Sequence, residues 1–306
     1  MTTRWQKTNT LCALVLALAV AACHASTQTQ RGSASPTVRS LPSTSPDPAP
    51  SSRAATVPAS PSPTVVPATS AASLMSPPAA PAITPTAVSA STLLAGNAGR
   101  DLVRLPTSQR VVALTFDAGA NADAIPEILD TLQSEKVPGT FFLTGAWVKA
   151  FPAQARQLGA LYAVGNHSST HPYFTQLSDA AVRAQLTEAQ TAITAATGRD
   201  PQPLFRFPFG DRDMRTREAV NSLGYISILW TVDTLGWKGT SGGQTAKSVV
   251  RRVLAKLQPG EIVLMHVGSN PVDHSTLDGD SLRTVIDQIK AAGYGFVTVT
   301  QGLHLP

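Results

Sequence analysis

The feature that most limits the fold is an alternation that starts abruptly near residue 98. Apolar runs of strand length take turns with stretches of helical period. Residues 111–116, Val-Val-Ala-Leu-Thr-Phe, form a run of the buried-strand type. Residues 123–134 then set Ile125, Ile128, Leu129 and Leu132 on one helical face. Residues 140–143 and 162–165 read as strands again. Residues 178–196 read as a long helix, with Ser178 as its N-cap and Gly198 just past its end. Further strands are expected at 204–207, 225–230, 262–265 and 296–300, with helices at 215–223, 246–257 and 281–292. Strands joined through helices pair in parallel, because each crossover returns the chain to the same end of the sheet. The chain is therefore of the α/β class, its parallel sheet open or closed into a barrel. Residues 98–306 are enough for one domain with a substantial core.

The first third of the chain cannot join that core. Residues 24–97 are dominated by Pro, Ser, Thr and Ala, and no charged residue lies between Arg53 and Arg100. Their large apolar residues are scattered singly, which predicts a disordered tether that extends at most ~3 Å per residue. Residues 1–23 read as an export signal. Arg4 and Lys7 precede an apolar stretch at 11–20, too short to span a bilayer, and Val20-Ala21-Ala22-Cys23 resembles a bacterial lipobox. The expectation is an exported bacterial protein, a lipid on Cys23 anchoring it to the outer face of the cytoplasmic membrane at the cell wall. The alternative is cleavage at the small residues and secretion.

The other cysteine, Cys12, lies in the leader, so residues 98–306 have neither disulfide nor thiolate chemistry. A metal there must be held by nitrogen and oxygen. Residues 1–97 carry 5 basic residues and 1 acidic, and residues 98–306 carry 19 and 18. The folded part is nearly neutral. Nucleic acid is thus excluded as a partner, because binding by counter-ion release needs a basic face. A monomer is the expected state.

Against that background two histidines stand out. His167 and His171 occur in Gly165-Asn166-His167-Ser168-Ser169-Thr170-His171-Pro172, and only four other histidines exist in 306 residues. On one helical turn, residues at i and i+4 share a face and both rings can address one ion. Other reactive groups fall at the ends of the expected strands. Asp117 follows the first, Arg206 lies at the end of 204–207, Asp233 follows Trp230, and His266 follows Met265. In a (β/α) barrel those ends converge on one mouth, where active sites form.

These residues carry a family resemblance. Thr115-Phe116-Asp117-Ala118-Gly119, His167 to Pro172, Arg206-Phe207-Pro208-Phe209-Gly210, Asp233-Thr234-Leu235-Gly236-Trp237 and Ile262-Val263-Leu264-Met265-His266 resemble the five ordered motifs of the polysaccharide deacetylases. These are metal-dependent carbohydrate esterases of the NodB type. The resemblance covers residues 108–302 and implies a distorted, incomplete (β/α) barrel. It implies that Asp117 is the general base, that His167 and His171 are metal ligands, and that Arg206 orients Asp117. His266 would be the general acid, held by Asp233. Phe209, where the family usually has Tyr, would offer its backbone N–H to the oxyanion, and Trp237 would line the substrate groove. The implied cofactor is a divalent metal, zinc first, with cobalt, nickel or manganese as alternatives. The implied partner is a polysaccharide, most simply a peptidoglycan-type polymer of N-acetylglucosamine. An O-acetyl esterase acting on xylan is the alternative within the same chemistry.

Two departures qualify these implications. The family's first motif has a second aspartate as third metal ligand, and this chain has Ala118. Asn121 or Asp123 reaching back, or Asp117 itself, are the oxygen donors left, although Asp123 also stands where a helix N-cap is expected. With none of them, the protein is a catalytically impaired carbohydrate-binding module. Secondly, the fourth motif often has another acid before Trp237, where this chain has Gly236. The polar segment 267–280 after His266 reads equally as groove wall and as surface loop.

Overall fold

The computed structural model describes residues 89–305. The expected leader and anchor, and the tether as far as residue 88, lie outside them. The tether ends earlier than its composition suggests. Ala90–Gly96 is a helix (α1), capped by Ser89, whose Oγ accepts the Thr92 N–H. Leu93 and Leu94 pack against the core, and Asn221 donates to the Leu94 carbonyl. Two apolar residues that look isolated in the sequence thus start the domain near residue 89.

The sheet is parallel throughout. Its strands are β1 Asp101–Leu102, β2 Val111–Ala118, β3 Thr140–Leu143, β4 Ala163–Asn166, β5 Leu204–Phe205, β6 Ile226–Ile228, β7 Val232–Asp233 and β8 Glu261–His266. They run in the order β1-β6-β5-β4-β3-β2-β8-β7, and β9 (Gly295–Phe296) adds to the start of β2. This is an α/β half-barrel, an incomplete (β/α) barrel. Helices α2 (Ile125–Ser134), α3 (Gly145–Ala150), α4 (Pro152–Leu161), α5 (Asp179–Thr197), α6 (Met214–Ser222), α7 (Ala246–Leu254) and α8 (Leu277–Ala291) cover it.

The period-2 pattern of β2 sorts its side chains into two layers. Val112, Leu114 and Phe116 join the apolar layer shared with Ile128 of α2, Leu158 of α4, Val253 of α7 and Val285 of α8. The alternate residues Ala113, Thr115 and Asp117 point into the barrel. Ala113 lies with Phe142, Leu204, Ile226 and Ile262 in a second apolar cluster. Helix α5 starts and stops as its caps dictate: Ser178 Oγ accepts the Ala181 N–H, and Gly198 turns left-handed at φ 72°.

Two expected elements differ. Residues 296–300 do not form one strand: β9 stops at Phe296 and a short helix, α9 (Val299–Gly302), follows. A capping box between Thr298 and Gln301 outweighs the β-branched alternation of Val297 and Val299. Asp123 does not cap α2. Its N-cap is Ala124 without a side-chain bond, and Asp123 Oδ2 accepts instead from Ser269 Oγ at 2.6 Å.

Glu261, at the start of β8, is fully buried. Its Oε2 accepts the Gln258 N–H at 3.2 Å, and its Oε1 has no partner. Burial pushes this carboxyl up to about 7. A carboxyl raised above its unfolded value costs stability as pH climbs through the window between the two, because only the unfolded chain ionises there. Stability should fall by up to about 3 kcal/mol between pH 4.5 and pH 7.5. Glu261→Gln should flatten that slope, so that urea titrations at pH 5 and pH 8 agree more closely than in the native chain.

Candidate active site

The C-terminal strand ends open into a cleft of about 490 Å³, lined among others by Asp117, His167, His171, Phe209, Trp237 and His266. The expected site residues are therefore brought together, and the register explains how. Asp117 of β2 is paired with His266 of β8. His167 directly follows β4, and Arg206 directly follows β5.

Arg206 organises the interior. Its Nη1 donates to Asp117 Oδ1 at 2.7 Å, Nη2 to Thr115 Oγ1 and the Leu229 carbonyl, and Nε to the Ile228 carbonyl. The guanidinium also lies 4.1 Å from the Phe142 ring centroid. Burial alone would push the Asp117 carboxyl up. Arg206, then His167 and His266, outweigh it and hold the group below its ordinary value. Asp117 is thus an ionised carboxylate with one oxygen fixed by Arg206 and the other free to face the histidines.

The histidine pair is real, but no helical turn makes it. Residues 167–173 are a loop, and Ser168 and His171 adopt positive φ (72° and 61°) that folds the segment back. Asn166 Oδ1 accepts the Ser168 N–H and Ser168 Oγ accepts the His171 N–H, which hold this turn. His167 Nε2 lies 3.2 Å from His171 Nε2 and 3.4 Å from Asp117 Oδ2. Burial lowers the proton affinity of both rings, that of His171 to about 4. Both imidazoles are neutral at pH 7, as ligands must be. His167 Nδ1 lies 2.8 Å from the Arg206 carbonyl, which fixes its proton on Nδ1 and leaves the Nε2 lone pair outward.

These residues fit a divalent metal in part. Nitrogen donors on tetrahedral zinc stand about 3.3–3.4 Å apart, close to the observed separation. Among the described residues no complete set of three His, Cys, Asp or Glu ligands is arranged for a metal. Ala118 is buried in the apolar layer with Ala122 and Trp147. The two expected substitutes do not reach in. Asn121 donates to Ser269 and accepts its N–H, and Asp123 is held by the Ser269 hydroxyl. Asp117 Oδ2 is the oxygen beside the pair.

On the other wall, His266 is not held by Asp233. Asp233 Oδ1 accepts the Leu235 N–H at 2.8 Å. The carboxylate next to His266 is Asp278, in the first turn of α8, with Oδ2 at 3.5 Å from Nδ1. Burial opposes the charging of His266, but Asp278, followed by Asp117 and Asp233, outweighs it and raises its proton affinity. Sequence reasoning missed Asp278 because it lies within the polar stretch 267–280, which looked like loop. The helix expected from residue 281 starts at Leu277, which puts Asp278 in its first turn and draws it inward with Leu277. Exposed aromatic rings rim the cleft. Phe209, at φ 58°, stacks on Tyr173 with centroids 4.3 Å apart and meets His171 edge-on, while Trp237 stands beside His266.

A parallel half-barrel whose mouth holds an Arg-bound aspartate, a histidine pair and a third histidine facing a carboxylate is the arrangement of a hydrolase of the (β/α)-barrel class. The sequence profile of the polysaccharide deacetylases matches residues 104–228. A peptidoglycan-N-acetylglucosamine deacetylase of Bacillus cereus is 31% identical over 195 residues, 63% of this chain and 68% of that protein. This chain belongs to the polysaccharide deacetylase family. The peptidoglycan-N-acetylglucosamine deacetylase PgdA of Listeria monocytogenes is 35% identical over 202 residues, but the chain spans only 40% of that protein's length. Among solved structures, a family 4 carbohydrate esterase pseudoenzyme from Bacillus anthracis superposes with a TM-score of 0.61 at 32% identity, covering 67% of this chain and 69% of that one. A mutant of that protein with restored enzymatic activity aligns with the same TM-score of 0.61.

Proposed function

We propose that the domain removes N-acetyl groups from a cell-wall polymer of N-acetylglucosamine, peptidoglycan first. The observation that carries this reading is the pairing of Asp117 and His266 on adjacent strands across a single cleft, one beside the Arg206 cation and the other beside the Asp278 carboxylate. Amide hydrolysis needs a base to take a proton from water and an acid to give one to the departing nitrogen. Asp117 takes the proton, the water oxygen bonds to the acyl carbon, and the C–N bond breaks as His266 protonates the amine. Acetate and a free amino sugar leave. Arg206 keeps Asp117 ionised and aimed. The Phe209 N–H is the oxyanion donor, and Phe209 and Trp237 give sugar rings two apolar faces. Each proton-transfer group contributes roughly 10²–10⁴-fold.

His167 and His171 would hold a divalent metal, zinc first, with Asp117 Oδ2 as the oxygen beside them. When bound, such an ion polarises the acyl carbonyl and makes water more acidic. Acetate release from N-acetylglucosamine oligomers, measured with and without a chelator, tests the reading. Release that stops with chelator and returns with Zn²⁺ or Co²⁺ is expected. His167→Ala should lose most bound metal by elemental analysis. No release with either metal added would reject the proposal. Ala118 favours a second reading, a module that binds the glycan without turnover. Glycan binding without acetate release would select it.

A further inference from the structure

The surroundings of His266 contain a substitution in space. A Cβ built on Gly236 would lie 2.3 Å from Asp278 Oδ1, 2.6 Å from its Cγ and 2.9 Å from Oδ2. The room that a side chain at 236 would occupy is filled by a carboxylate from another element, α8. That carboxylate is only 3% exposed. Thr234 Oγ1 donates to Oδ1 at 2.7 Å, and the His266 backbone N–H donates to Oδ2 at 2.9 Å. The same Oδ2 faces His266 Nδ1 at 3.5 Å, and that nitrogen is buried with no hydrogen-bond partner. Thr234 also accepts the Gly236 N–H at 3.3 Å, tying the glycine to the threonine that grips Asp278.

We propose that Asp278 is the positioning residue of His266, a carboxylate supplied from α8 into the space that Gly236 leaves free, so that positions 236 and 278 form an exchangeable pair. The proposal rests on the reading of His266 as proton donor. Asp278 Oδ2 takes the Nδ1–H, fixes the ring and stabilises the imidazolium, and Nε2 carries the transferable proton into the cleft. A separation of 3.5 Å is an ion-pair distance, and such contacts shorten when substrate binds. Asp278 also has an ordinary role open to it, since an acid in the first turn favours the helix dipole. That role needs no carboxylate facing His266 and gives position 236 no say in the matter.

The two roles separate in four variants: Asp278→Asn, Asp278→Ala, Gly236→Asp, and Gly236→Asp with Asp278→Ala. Asp278→Asn keeps an acceptor for Thr234 or for the His266 N–H. It should nevertheless lower kcat by roughly 10²–10⁴-fold with KM within about threefold. Gly236→Asp alone should impair folding through its clash. The double variant should recover kcat to within about tenfold of the native chain, because the carboxylate returns from position 236. The second readout is independent of turnover. Two-dimensional ¹⁵N NMR of the His266 ring should show Nδ1 protonated in the native chain, lost from that state at neutral pH in Asp278→Asn, and regained in the double variant.

An Asp278→Asn kcat within threefold of native, or an unchanged His266 ring in that variant, would overturn the proposal. So would a folded double variant that recovers neither readout. If the double variant does not fold, Asp278→Asn alone decides through its kcat and ring spectrum. A native chain that releases no acetate rejects the deacetylase reading, and the ring spectrum then decides the role of Asp278 by itself.

Discussion

Exchange of Arg206 for methionine is expected to destabilise the domain by about 3–5 kcal/mol and to stop acetate release. The guanidinium is wholly buried and bonds Asp117, Thr115 and two strand carbonyls at once. Methionine fills similar volume but leaves the Asp117 carboxylate buried without the guanidinium that offsets its desolvation. The pH dependence gives the cause away. In the native chain Asp117 sits below its unfolded value, so its contribution is complete above about pH 4 and is lost as pH falls through the folded value. Without Arg206, the burial that opposed ionisation prevails and the carboxyl rises. The variant then loses stability as pH increases, because the unfolded chain ionises more readily. The stability difference between native and variant should therefore widen from pH 5 to pH 8 in urea unfolding. A constant difference would assign the cost to packing alone. Arg206→Lys should fall between, since an ammonium keeps the charge and gives up the fork that reaches four acceptors.

Ala118→Asp should have the second large effect, in two opposite directions. In the metal-free chain it places a carboxylate in the apolar layer with Ala122 and Trp147, which should cost about 2–4 kcal/mol. Zinc should reverse the loss, with an affinity at least about tenfold above that of the native chain, because a third protein ligand completes the catalytic type of site. Thermal unfolding with and without zinc, together with chelator competition, measures both. An affinity equal to the native one would show that a side chain at 118 does not reach the ion. A variant that is stable without metal would show that the strand end relaxes to expose the new carboxylate.

Much of this arrangement is legible in the sequence where large apolar residues keep a period. The stripe Ile125, Ile128, Leu129, Leu132 gives α2 within two residues of its start, and the run in β2 foretells a strand buried on both faces. Helix α4 escapes notice because its buried positions are Ala155, Leu158 and Gly159. Small residues let a helix approach its neighbour closely and leave little hydrophobic pattern. The site is legible as a set of strand ends, since β2, β4, β5, β7 and β8 each end within one residue of a named polar group. Its internal geometry is not. Spacing put His167 and His171 on a helix, whereas positive φ at Ser168 and His171 creates the pair. Motif order put an aspartate from the fourth motif on His266, whereas the nearest carboxylate comes from a helix twelve residues further along. Spacing carries over between relatives when one element holds both residues. Contacts between separate elements depend on packing, and one Gly at 236 is enough to redirect them.

The sheet's own borders have a consequence for behaviour in solution. It is an open half-barrel, and the strands at its two margins, β1 and β7, are each only two residues long. β1 is further occupied, its Asp101 clasped by Arg212, Arg217 and the Ser227 hydroxyl. A margin this short offers a foreign strand too few free N–H and C=O groups to grow upon. The fold leaves its barrel unclosed, yet among the described residues these two margins give another chain little to pair with edge to edge.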